Sequence, residues 1–157
     1  MPDLLTHLCA AQLLRRGLLA RRFPLFALGT ILPDIISRPI HILFPSAYPF
    51  VQPLHSPAVC AVYCALVSLL FVPPIRREAF ACLLAGAALH LALDACQRQV
   101  GPEYLWLFPF SWRPGSIGLF WPEQALFLLP ATLAATAAVS ALRGRRARRA
   151  AAGMDGV

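Results

Sequence analysis

A chain of 157 residues that is 59% hydrophobic and 13% charged departs from soluble domains, which are roughly 45–50% apolar and about 25% charged. With a mean hydropathy of +0.65, it reads as an all-α bilayer protein with room for one small helical bundle and no separate soluble domain. The formal net charge is +7 and all 14 basic residues are arginine; they flank apolar runs instead of covering a polar face, which argues against nucleic-acid binding and fits the positive-inside rule.

The first apolar segment, about Leu4 to Leu14, is too short to cross a bilayer and reads as amphipathic or half-inserted. Arg15 and Arg16 interrupt it too early for a cleavable signal peptide. The second, about Phe23 to Ile36, is expected to break near Pro33, so that it dips into the membrane and stops close to Asp34. A proline-rich loop, SRPIHILFPSAYPFVQP, leads to a third segment, about Pro57 to Val72, ended by Pro73 and Pro74. The fourth runs from about Ala79 to Cys96. A loop dense in Trp, Tyr, Phe, Pro and Gly follows, with the composition of a headgroup-level anchor that could also wall a lipid-like substrate. The fifth, about Gln124 to Leu142, is nearly free of polar groups and reads as the cleanest transmembrane span. These segments make a polytopic bundle of four to five helices over residues 1–142, two of them short or half-inserted. Residues 143–157, opening with RGRRARR, read as a disordered basic tail.

Arginine placement sets an expected topology. The tail, Arg76–Arg77 and the arginines at 15–22 all belong on the cytoplasmic side. His7, Asp34, His55, His90, Asp94, Glu123 and the aromatic loop then fall on the outer side. The stretch LHLALDA is the sharpest of these signals. His90 and Asp94 lie one helical turn apart inside an apolar run, where an unpaired Asp costs about 2.5–3.5 kcal/mol at mid-membrane. Taken singly, each residue has a bland alternative: His90 bonded to a neighbouring helix, Asp94 paired with Arg98, Asp34 as a helix-end cap, His55 and His7 as interfacial residues. Taken together, three histidines and two aspartates from four segments form a mixed N/O donor set suited to Zn²⁺, one or two ions, with Mn²⁺ or Fe²⁺ as alternatives. The five cysteines include no CxxC pair, which argues against a thiolate site or a disulfide framework.

The ordered motifs Thr6-His7, Leu32-Pro33-Asp34, His55-Ser56, His90 with Asp94, and Pro109-Phe110-Ser111-Trp112 resemble those of the YdjM-like predicted membrane-bound metal-dependent hydrolases, over about residues 4 to 125. That family is distantly similar to zinc-dependent phospholipases C. The resemblance implies metal ligation by His7, Asp34, His55, His90 and Asp94 in a bacterial inner-membrane protein. Ile36 stands where the family commonly has a second acid, and Gln52-Pro53-Leu54 replaces a basic, glycine-containing approach to the HS histidine. The expected activity is hydrolysis of an ester or phosphoester of an amphiphilic substrate. Asp34 doubles as catalytic base in that reading, Arg113 and Trp112 contact substrate, and His41 is a further candidate contact. The rival readings are a non-enzymatic protein whose polar cluster knits the bundle or binds a partner helix, and an ion transporter.

Overall fold

The computed structural model describes residues 4–98 and 104–154, and all regular structure within them is helical apart from two isolated bridges. The helices are α1 (Leu4–Leu14), α2 (Gly17–Arg21), α3 (Phe23–Leu43), α4 (Tyr48–Val51), α5 (Pro57–Ser68), α6 (Pro73–Cys96) and α7 (Ala125–Met154). Short 3₁₀ turns fill Pro45–Ala47, Gln52–His55 and Pro122–Gln124.

α3 corrects the expected break at Pro33, running through both Pro33 and Pro39 to Leu43. A proline removes one backbone donor and crowds the preceding turn, but side chains can feed the carbonyls around it. Thr30 Oγ1 donates to the Phe26 carbonyl (2.9 Å), Ser37 Oγ to the Pro33 carbonyl (2.8 Å), and the ring of His90 bonds the Thr30 carbonyl (2.8 Å). Much of the expected proline-rich loop is therefore helix. Asp34 lies inside α3 with more than two turns beyond it, not at its end.

α6 opens six residues earlier than expected, because Pro73 and Pro74 start the helix instead of merely ending the previous one. At the C-terminus the helix does not give way to a disordered tail after Leu142 but continues to Met154; alanine and arginine are among the strongest helix formers. Among the described residues two helices, α3 and α6, are long and apolar enough to cross a membrane. A third span exists if Pro49–His55 and Pro57–Ser68, bent by 74° at Ser56, are one crossing. The span expected over Gln124 to Leu142 lies on α7, where the side chains of Ala125, Leu126 and Leu128 fall outside the described residues.

Helices in lipid gain little from apolar burial against one another, so close approach and polar contacts decide which pairs form. α3 and α6 run parallel. Arg22 pairs with Glu78 at their starts (2.8 Å), and Gly29 and Gly86 meet backbone of the opposite helix at mid-length. A Cβ on Gly86 would sit 2.6 Å from the Thr30 nitrogen and 2.7 Å from the Gly29 carbonyl carbon, and one on Gly29 2.7 Å from the Leu83 Cα. Parallel neighbours require a return, which α5 supplies, packing Cys60, Tyr63 and Cys64 against Leu32, Leu83, Ala87 and Leu91. α1 runs back alongside α3 and α6, and α7 runs beside α1 in the same direction. Thr136, Ser140 and Arg143 of α7 reach Cys9, Gln12 and the Gln12 and Leu13 carbonyls in step.

Arg15, Arg22 and Arg143 consequently gather at one end, away from Arg38 beside Asp34. Arg15 lies over the Phe23 ring (5.5 Å), Arg22 on Glu78, and Arg143 on the end of α1. Asp34 stands twelve residues along α3 from Arg22, about 18 Å of helix rise, and Asp94 stands sixteen residues beyond Glu78, about 24 Å.

Candidate metal centre

Each functional side chain reaches the far half of the bundle by a different local device. His7 comes from the first turn of α1. Asp34 is placed by α3 continuing through Pro33. Ser56 caps α5, its hydroxyl accepting from the Val59 amide (3.4 Å), and Pro57 fixes the first helical position. The sharp bend there turns His55 inward. His90 and Asp94 share one face of α6.

All five are buried: His7 and His90, Asp34 and Asp94 are at most 1% exposed, and His55 is 5% exposed. They form two overlapping triads that could hold a metal ion, His7–His90–Asp94 and Asp34–His55–His90. The facing atoms are His7 Nε2 and Asp94 Oδ1 at 3.6 Å, His90 Nε2 and Asp94 Oδ2 at 3.3 Å, His55 Nε2 and Asp34 Oδ1 at 3.4 Å, and His90 Nε2 and Asp34 Oδ1 at 3.8 Å. These separations exceed the roughly 2.7–2.9 Å of a charge-assisted N–H···O bond. They bracket the separation of about 3.4 Å between two ligand atoms each about 2.1 Å from a tetrahedral ion.

Contacts from these residues to the groups around them are shorter. Tyr104 donates its hydroxyl to Asp94 Oδ2 (2.7 Å), Arg38 Nη2 lies 2.7 Å from Asp34 Oδ2, and His90 Nδ1 bonds the Thr30 carbonyl (2.8 Å). A carbonyl only accepts, so Nδ1 of His90 carries the proton and Nε2 turns a lone pair inward. Nothing among the described residues hydrogen-bonds His90 Nε2 or Asp94 Oδ1, although both are buried. Tight outer contacts around loosely spaced inner donors are the pattern of ligands oriented by a supporting shell. The rings add packing: His7 stacks on His90 (centroids 4.3 Å apart) and Tyr104 on His55 (5.4 Å).

The substrate contacts expected from sequence lie elsewhere. Trp112 and Arg113 are exposed on the aromatic loop, Trp112 edge-on to Phe108, and His41 is exposed two turns beyond Asp34. Glu123 is exposed in the turn before α7. Arg98, a candidate partner for Asp94, instead bonds the Gly118 carbonyl (3.0 Å) and covers the Trp121 ring.

Three supporting residues escaped sequence reasoning. Thr30 and Arg38 lie four residues either side of Asp34, a spacing that signals a shared face once α3 is carried past Pro33. Tyr104 had no such signal, because a loop residue's reach back to Asp94 is a tertiary fact. All five cysteines are free thiols in this structure. No family model, curated protein or solved structure matches the chain.

Proposed function

We propose that the protein is a membrane-embedded, zinc-dependent hydrolase that cleaves an ester or phosphoester of a lipid-like substrate. The observation that carries this reading is the contrast in spacing within one buried cluster: inner His/Asp donors 3.3–3.8 Å apart, outer partners at 2.7–2.8 Å. Imidazole and carboxylate donors in a small cage suit Zn²⁺ first, with Mn²⁺ or Fe²⁺ behind it. The resemblance to YdjM-like hydrolases supports the same assignment.

Zinc held there would supply Lewis acidity and lower the pKa of a coordinated water toward about 7. The chain's own residues do the rest. Thr30 holds His90 in the ligating tautomer, Tyr104 orients Asp94, and the α3–α6 walls exclude bulk water. Arg38, about a third exposed beside Asp34, marks the side on which an anionic group would approach. Trp112, Arg113 and His41 are the proposed contacts for a headgroup arriving from that end. Loop side chains such as Phe110 and Trp112, both well exposed, suit the bilayer interface. We place the arginine-rich end and α7's C-terminus in the cytoplasm and the cluster in the outer half of a bacterial inner membrane.

Detergent-purified protein is expected to retain at least one equivalent of zinc per chain and to hydrolyse a fluorogenic phospholipid or carboxylic-ester reporter in proteoliposomes, with activity lost on chelation and restored by zinc. Less than about a tenth of an equivalent after zinc addition would leave only a hydrogen-bonded helix knot. Tyr104→Phe, which keeps the ring on His55 and removes the hydroxyl from Asp94, is expected to weaken zinc binding by about 10–100-fold. Competition against a chromophoric chelator measures it.

A further inference from the structure

The two triads cannot both be filled through His90, because its Nδ1 is committed to the Thr30 carbonyl and a single nitrogen remains. Charge separates the rest. Asp34 has a guanidinium 2.7 Å from Oδ2, so its negative charge is already matched. Among the described residues no arginine reaches Asp94, which has the neutral Tyr104 hydroxyl and the two imidazoles around it. A fully buried carboxylate without a matching cation is costly in an apolar bundle, and a divalent ion removes that cost where the mismatch lies. Local contacts lean the same way. His55 Nε2 and Asp34 Oδ1 lie just within hydrogen-bond reach of each other (3.4 Å) and Asp34 Oδ2, though not hydrogen-bonded, has the Arg38 guanidinium beside it, whereas His90 Nε2 and Asp94 Oδ1 have neither a hydrogen bond nor an arginine among the described residues.

We infer that the five side chains do two jobs: His7, His90 and Asp94 hold a single ion, and Asp34 with His55 forms a carboxylate–imidazole dyad outside its coordination shell. This rests on the metal reading above and departs from the expectation that all five residues are ligands. Three protein ligands with an open position are the usual composition of a catalytic zinc site, whereas closed four-ligand shells are structural. The dyad, held by Arg38 on one side, faces His90 across 3.8 Å, where it could hold and move a proton between Asp34 Oδ1 and His55 Nε2 beside the ligand set. Asp34 is then a base that never ligates, and Arg38 is the positioning residue that fixes its second oxygen.

The test compares zinc binding by the full chain in detergent for the native protein and for His7→Gln, Asp94→Asn, Asp34→Asn and His55→Gln, with thermal unfolding of the metal-free proteins as the fold control. Native protein is expected to bind one zinc per chain. His7→Gln and Asp94→Asn are expected to lose at least about 100-fold in affinity, more than an outer-shell change typically does. Asp34→Asn and His55→Gln are expected to stay within about tenfold. Zinc-edge X-ray absorption on the native protein needs no variant, and is expected to show two imidazoles. Two zinc ions per chain, three imidazoles, or equal losses for Asp34→Asn and Asp94→Asn would overturn the division of labour while leaving metal binding intact. Absence of zinc from the native protein would overturn both.

Discussion

Gly86→Val is expected to prevent recovery of folded protein, the largest effect of any single substitution at a residue remote from the cluster. The obstruction is backbone on every side: the Phe26 carbonyl, the Thr30 nitrogen and the Gly29 carbonyl carbon crowd the position a side chain would take. Flexible side chains can give way to an added methyl group, but two packed main chains cannot without separating. Ordinary overpacking costs about 1–3 kcal/mol, and a clash between helix backbones should exceed that range. Separation would also pull the Thr30 carbonyl from His90, so cluster and fold fail together. Size-exclusion chromatography in detergent is the readout; a monodisperse Gly86→Val protein with native thermal stability would show that the helices are not in contact there. Gly29→Val carries the same expectation, against Leu83.

His90→Gln is expected to reduce zinc affinity by about 1,000-fold or more, beyond any other single ligand change. His90 alone belongs to both triads, so no alternative grouping of the remaining four keeps three donors together. Glutamine keeps a polar, hydrogen-bonding amide at the buried position while removing the ligating imidazole. Affinity should therefore collapse with little change in metal-free stability. If the cluster only knits the helices, the result reverses: stability falls and the native protein shows no zinc to lose. Chelator competition and thermal unfolding on the same samples separate the two outcomes.

The buried His/Asp cluster was more legible in the sequence than the fold that carries it. Charged and imidazole groups in an apolar run stand out because burying them is costly, so His90 and Asp94 announced themselves from spacing alone. Arginine clusters, which avoid the bilayer interior, gave chain directions that agree with the helix packing and put His7, Asp34 and His55 at the same end. The errors came from proline and from tertiary contacts. Pro33 reads as a breaker because its own missing donor is visible, whereas the bond from His90 to the Thr30 carbonyl beside it exists only once α3 and α6 are packed. Likewise the glycine contact between α3 and α6 is a property of the pair, since neither Gly29 nor Gly86 declares its partner. Tyr104 belongs to the same class: an aromatic in an aromatic loop, distinguished only by where its hydroxyl ends.

α7 contributes none of the five side chains and reaches the rest of the bundle mainly through α1. The protein thus has an inner frame of α3 and α6 whose spacing is dictated by bare main chain, with α1 packed on it and carrying His7, and α7 held outside α1 by side-chain contacts, which tolerate drift. Sequence changes along that last helix are free to follow its surroundings, and they reach the buried His/Asp cluster only through α1, at the single position of His7.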